Sequence, residues 1–476
     1  MTVSHFPGTR FRNTLVLATA FAILSVMTLP GPASAITPST TAVTSITTGA
    51  SSFGVAVSPD GSSVWVTNLT GTVTRIDTAT NAVTSITTGA SPYNIAVSPD
   101  GSSVWVTNLT GTGTVTRIDT TTNAVTSITV GSGPYNIAVS PDGSSVWVTN
   151  YGGGSGTTVS RIDTTTNVVT SITVGSGPNG IAVSPDGSSV WVPNYGTGSG
   201  TTVSRIDTTT NAVTSITVGS VPRNVAVSPD GSSVWVTNYG SGTVSQINTT
   251  TNVVTSITVG SGPNAVAVSP DGSSVWVTNY GTGYGTTVSR IDTATNAVTS
   301  ITVGSGSYTI AVSPDGSSVW VTNSGAGSGT TVSRIDTATN AVTSITVGSG
   351  PYNIAVSPDG SSVWVTNYGS GTVSRIIFPP QPPANVTATP GNAQATISWT
   401  APTNTGGSPI TGYTATASAG GQNCTTTTAT SCTISGLTNG TTYYVSVTAT
   451  NAVGISDPSV IAVTPSSDPV APAFTG

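Results

Sequence analysis

Only 5% of the 476 residues are charged, far below the roughly 25% of an average globular protein, and the chain has neither Lys nor Glu and one His, His5. A net charge of −6 excludes the basic footprint that nucleic acid requires and electrostatic attachment to an anionic membrane. Ser, Thr, Asn and Gly must therefore solvate the surface.

Residues 1–35 have the pattern of a cleaved signal peptide. Arg10 and Arg12 form a positive start, residues 15–29 are mostly apolar, and Ala33-Ser34-Ala35 offers small residues for cleavage. The apolar run is short for a spanning helix, and no Cys follows it as a lipid acceptor. The expectation is a secreted, extracellular or cell-surface protein with no membrane span in the mature chain. Cleavage would also remove His5 and both of those arginines.

From 36 to 377 one unit recurs eight times. It runs Val-Thr-Ser-Ile-Thr, a Gly-rich link, Ala-Val-Ser-Pro-Asp-Gly, Ser-Ser-Val-Trp-Val-Thr-Asn, a variable Gly-rich loop, then Val-Ser-Arg-Ile-Asp-Thr. The Pro-Asp-Gly aspartates, Asp60, Asp100, Asp142, Asp186, Asp230, Asp271, Asp315 and Asp359, are 40 to 44 residues apart. That period, filled by four short strands, is the signature of propeller blades. Each predicted strand is rich in Val, Ile, Thr or Trp and bounded by Gly, Pro, Asn or Asp. Ser-Pro-Asp-Gly predicts a tight turn, because Pro fixes φ and Gly accepts a positive one. The unit starts on its outer strand and ends one strand short, so residues 43–47 should pair with 373–377 and close an eight-bladed ring with no open edge. The fold class is all-β.

The stretch from Ile95 to Asn108, IAVSPDGSSVWVTN, resembles the YVTN-type β-propeller repeat. The resemblance implies the propeller fold. It carries little about activity, since that family includes surface-layer and secreted proteins of unknown role, and related propellers include lactonases, lyases and cofactor enzymes.

Pro379-Pro380-Gln381-Pro382-Pro383 predicts a stiff linker over 378–383. Residues 384–465 then resemble a fibronectin type III domain, through Ala384-Asn385-Val386, Ile397-Ser398-Trp399, Ile410-Thr411-Gly412-Tyr413 and the run from Leu437 through Tyr443 to Val447. The resemblance implies a β-sandwich, with Trp399 in the core and Tyr443 as the corner tyrosine. Cys424 and Cys432, the only cysteines, suggest a disulfide stapling one local hairpin. Two thiols without a nearby His or Glu make a poor metal site. Residues 466–476 form a tail.

Within a blade, the first and third turns lie on one face of the ring, and the second turn and the link to the next blade on the other. The first and third turns are nearly invariant, so one face is uniform and the other individual. All the propeller tyrosines fall on the individual face. Tyr93, Tyr135, Tyr308 and Tyr352 are in links, with Phe53 and Arg223 at the matching position. Tyr151, Tyr195, Tyr239, Tyr280, Tyr284 and Tyr368 are in second-turn loops. Rigid amphipathic rings suit a ligand surface, although the same rings could simply cap the core.

The repeated Arg-x-Asp pairs, such as Arg161/Asp163, are lost together at Gln246/Asn248, which points to a structural contact. The turn aspartates lack a second carboxylate for Ca²⁺, and a triad cannot be built without His, Lys or Glu. The sequence reading is therefore a non-catalytic binding protein with no cofactor or metal, whose propeller face holds carbohydrate, cell-wall polymer or another surface protein. A lactonase-like hydrolase or lyase, and a structural envelope repeat, stand as alternatives.

Overall fold

The protein is described here from a computed structural model covering residues 41–110 and 113–467. The expected leader and Asp468 lie outside these residues. Eight four-stranded antiparallel sheets make the blades. Blade 2 is representative, with inner strand Pro92–Val97, then Ser103–Asn108, Thr114–Asp119 and the outer strand Val125–Thr129. Blade 8 takes its outer strand from the start of the chain: Ala42–Thr47 pairs with Thr372–Ile377 in the register Val43↔Ile376 and Thr47↔Thr372. The ring closes as the repeat implies.

Alternation along each Val-Trp-Val strand points Trp toward one neighbouring blade and the flanking Val residues toward the other. Trp147, Val159 and Ile172 of blade 3 pack on Val190, Val192 and Ile206 of blade 4. The closing seam is built the same way, from Trp364 and Val373 with Ile46, Val64, Val66 and Ile76. The eight repeat tryptophans are at most 2% exposed, so they are core.

The uniform face is held by side chains bonding to backbone. Ser140 Oγ donates to Asp142 Oδ1 at 2.6 Å, and Ser144 N donates to the same oxygen at 3.0 Å. Asp163 Oδ1 accepts from Thr166 N at 2.8 Å and Thr166 Oγ1 at 2.8 Å, capping its own turn. Arg161 does not pair with Asp163. Its guanidinium lies 5.1 Å from the Trp147 ring centroid, and Nη1 donates to Thr208 O of the next blade at 2.6 Å. Six of the seven such arginines clamp two blades through a cation–π contact and a carbonyl, and Arg334 lies instead between the Trp320 and Phe378 rings. In blade 5 the roles reverse: Gln246 Oε1 accepts from Asn296 Nδ2 at 3.3 Å, while Asn248 caps the turn through Oδ1. An amide can accept where a guanidinium cannot, so the paired loss of charge keeps the seam closed.

The second domain packs one sheet of Ala384–Gly391, Gln394–Thr400 and Ser431–Ser435 on another of Asn423–Thr426, Ile410–Ala417, Tyr443–Asn451 and Ser459–Val463. Trp399 is buried, and the Tyr443 hydroxyl accepts from Thr438 N at 3.0 Å. The disulfide joins Cys424 to Cys432. It bridges the two sheets, not a local hairpin, because its half-cystines lie on strands of opposite sheets. The linker is no free spacer either. Phe378 takes the place of the third turn that blade 8 lacks, its ring centroid 5.3 Å from that of Trp320, while Gln381 N donates to Asn404 O at 3.0 Å.

Candidate functional site

The links between blades bring eight residues, one per blade, around the mouth of the central channel. In blade order they are Phe53, Tyr93, Tyr135, Asn179, Arg223, Asn264, Tyr308 and Tyr352, and all of them line one cavity. Its volume of ≈ 160 Å³ is below the ~300–1,000 Å³ of pockets that bury drug-sized ligands. It suits one compact ring, not a polymer.

The ring has two unlike arcs. Blades 7, 8, 1, 2 and 3 contribute five consecutive aromatics. The ring centroids are 4.4 Å apart for Tyr308–Tyr352, 4.3 Å for Tyr352–Phe53, 4.1 Å for Phe53–Tyr93 and 4.8 Å for Tyr93–Tyr135. Such tilted ring contacts hold the aromatics in place. Blades 4, 5 and 6 contribute Asn179, Arg223 and Asn264. In a closed ring of eight, blade 5 stands opposite blade 1, so Arg223 stands opposite Phe53.

The phenols point at one another. Tyr93 Oη donates to Tyr135 Oη at 2.9 Å, and the Tyr308 and Tyr352 hydroxyls share a hydrogen bond of 2.5 Å. Burial, with some help from neighbouring phenols, raises the pKa of Tyr93 and of Tyr308, and that of Tyr352 to about 12. At neutral pH these groups are hydrogen-bond donors, not bases.

Arg223 is held flat. Its guanidinium carbon is 3.6 Å from the Tyr239 ring centroid and 5.6 Å from that of Tyr195, and Nη1 donates to Asn264 Oδ1 at 3.2 Å. No carboxylate lines this cavity. The other described arginines lie over the repeat tryptophans, on the uniform face.

Of the residues singled out from sequence, Phe53, Tyr93, Tyr135, Arg223, Tyr308 and Tyr352 line the cavity together. Tyr151 stacks behind Tyr135 and Tyr280 behind Tyr308. Tyr195 and Tyr239 brace Arg223. Tyr284 is exposed on an outer loop and stands apart from the cavity, whereas Tyr368, also exposed, has its ring centroid 6.3 Å from that of Tyr352. Sequence reasoning missed Asn179 and Asn264, together with Asn94, Asn136, Asn224, Thr309 and Asn353 one residue further along. Their shared place in the link column of the eight repeats is the signal that marks them, whereas residue type marks only the tyrosines.

A propeller lactonase using a metal would need carboxylates or imidazoles converging on the channel. The described residues contain no group of three or more His, Cys, Asp or Glu able to hold one, and the ring's aspartates cap turns on the opposite face. The residues present do not fit a metal.

Residues 52–279 match the family profile "Lactonase, 7-bladed beta-propeller", and residues 380–464 match the fibronectin type III domain. No curated protein matches the chain. Among solved structures, Kuenenia stuttgartiensis hydrazine synthase is similar with 23% identity and a TM-score of 0.51, over 69% of this chain and 96% of that one. Dihydro-heme d1 dehydrogenase NirN is similar with 16% identity and a TM-score of 0.53, over 68% of this chain and 69% of that one. These two likenesses show the propeller fold alone. The chain is a β-propeller joined to a fibronectin type III domain, with eight blades where the matching profile describes seven.

The profile match corrects the sequence reading of a non-catalytic binding protein. That reading ranked an enzyme below a binding protein because His, Lys and Glu are missing, and the match favours the lactonase-like alternative instead. The missing residues weigh against reactions that need a strong base, but not against opening a reactive cyclic ester, where stabilising the oxyanion can carry the rate.

Proposed function

We propose that the propeller is a hydrolase that opens a small lactone ring at the channel mouth. The observation that carries this reading is Arg223, a lone cation facing, across the cavity, an aromatic arc whose Tyr93, Tyr308 and Tyr352 phenols are held neutral by burial. The lactone-type profile over residues 52–279 supports it.

In this reading the lactone ring lies against the aromatic arc with its carbonyl oxygen toward Arg223. Water adds to the carbonyl carbon, and the guanidinium and a neutral phenol donate to the oxyanion that forms. The ring C–O bond then breaks, the departing oxygen takes a proton originating from the water, and the product is the hydroxy acid. Side-chain amides such as Asn136 and Asn353 orient the water. Without a strong base, the chemistry is confined to esters that already open in water.

We also propose that the chain is exported, supported by the pattern of residues 1–35 and by the Cys424–Cys432 disulfide.

The test is the opening of glucono-1,5-lactone, followed as acid release and corrected for the spontaneous rate. Wild type should accelerate it, and Arg223→Gln should lose about 10²–10³-fold in kcat, the usual loss for one oxyanion donor. Acceleration that survives Arg223→Gln unchanged would remove Arg223 from the chemistry. No acceleration by wild type, with this or other small lactones, would remove the reading.

A further inference from the structure

Seven of the eight seams between inner strands are built around one hydroxyl. The Thr of each Val-Trp-Val-Thr-Asn strand accepts from the amide of its own blade's inner strand and donates to the link carbonyl of the next blade. In blade 2, Asn94 N donates to Thr107 Oγ1 at 3.0 Å, and Thr107 Oγ1 donates to Tyr135 O at 3.0 Å. The closing seam has the same relay, with Thr366 Oγ1 donating to Phe53 O at 2.7 Å.

The eighth seam, between blades 4 and 5, departs from this pattern. Blade 4 reads Val-Trp-Val-Pro-Asn, so Pro193 stands where the hydroxyl would be. Gly180 N donates directly to Arg223 O at 3.0 Å instead. A Cβ at position 180 would come within 2.7 Å of that oxygen, as one at Gly54 would of Tyr93 O, but only Gly180 bonds the link carbonyl directly. The inner strand of blade 4 is reduced to Ala182–Val183. Two residues before Arg223, at a position where the other blades place Gly or Ser with positive φ, Val221 sits at φ 55°, a conformation rarely taken by β-branched residues. Local strain of this kind collects at functional sites.

We propose that Pro193 and Gly180 are positioning residues for Arg223. Removing the hydroxyl relay at this one seam brings the Arg223 backbone within a single hydrogen bond of blade 4. That placement sets the guanidinium between Tyr195 and Tyr239 and aims it into the channel. The departures from the repeat at this seam thus serve the ring's one departure to a cation. This assignment rests on the proposed lactone chemistry for its effect on rate, but its geometry can be read without any substrate.

The experiment uses the full chain labelled with ¹⁵N-arginine. The Nε–Hε signal of Arg223 is identified by its loss in Arg223→Lys, and its position reports the stack on Tyr239. Pro193→Thr restores the residue found in the other seven blades, so folding should be retained. It is expected to move the Arg223 signal, leave the signals of Arg75 and Arg334 in place, and lower kcat by about 10- to 100-fold, as misplacement of a reacting group does. Gly180→Ala should move the same signal through the clash with Arg223 O. Thr107→Val breaks the relay at another seam and should leave the Arg223 signal where it is. A moved signal in a protein that opens no lactone keeps the positioning assignment and overturns the proposed reaction. An Arg223 signal unmoved by Pro193→Thr overturns the assignment whatever the rates. So does a moved signal with unchanged kcat in a protein that opens the lactone.

Discussion

The two faces of the ring are built from the same eight repeats and use them in opposite ways. On the uniform face the side chains hold the ring together: aspartate caps its own turn, arginine reaches the next blade's carbonyl in six of the eight blades, and tryptophan packs between the sheets. On the individual face the same positions differ from blade to blade, and the differences are sorted in space. Aromatics fill five consecutive links and polar groups the other three, with the single cation at their centre. Repetition makes a scaffold. Departure from repetition makes the cavity.

Changes that cross this division should separate stability from turnover. The largest effect is expected from Trp147→Ala, which empties a seam on the uniform side. Denaturant unfolding should show a loss of about 3–5 kcal/mol, typical of a buried tryptophan, with kcat per folded molecule unchanged. A kcat that falls with stability would mean the faces are coupled.

Next in size is pH. Seryl hydroxyls and backbone amides lower the turn aspartates, with Asp60, Asp142, Asp230 and Asp271 held at about 2 against 3.8 for a free side chain. Their contribution to stability is therefore complete above 3.8 and is lost as pH falls from there toward 2. Tyr352 shifts the other way, to about 12 from 10.0. Its contribution is complete below 10 and is lost as pH rises toward 12. Thermal unfolding across pH should accordingly show an acid edge blunted by Asp142→Asn and an alkaline edge blunted by Tyr352→Phe. An alkaline edge indifferent to Tyr352→Phe would contradict the buried-phenol account.

The smallest expected change comes from making blade 5 conform to the others. Gln246→Arg with Asn248→Asp should stabilise by about 0.5–1 kcal/mol, the scale of one cation–π contact, because the Trp235 indole then gains the cover its counterparts have. Gln246→Arg alone should gain nearly as much, since Asn248 already caps its turn. A large gain that requires both changes would show the arginine and aspartate acting as an ion pair.

The scaffold was legible in the sequence because each of its residues is repeated eight times, and a repeated position serves the repeat. Trp147, Asp142 and the pairing of residues 43–47 with 373–377 follow from that reasoning alone. The cavity was half legible. Tyr93, Tyr352 and Arg223 stand out by type, whereas Asn179 and Asn264 look like ordinary loop asparagines until the ring sets them beside Arg223. The sheet-bridging course of Cys424–Cys432 and the seating of Phe378 on Trp320 depend on which strands meet in space, and local patterning does not carry that. Pro193, inside the strand Ser189–Asn194, and Gly180 carry no local signal of their role, because their effect falls on another blade.

The central claim is that a small lactone is bound and opened at the channel mouth between Phe53 and Arg223. The most direct measurement is a crystal structure with the non-hydrolysable lactam analogue of the lactone. The account predicts the lactam ring against the Phe53–Tyr352 arc, with its carbonyl oxygen within hydrogen-bond distance of Arg223. A lactam seated in the Trp–Arg grooves of the uniform face, or a channel mouth left empty at saturating analogue, would contradict it.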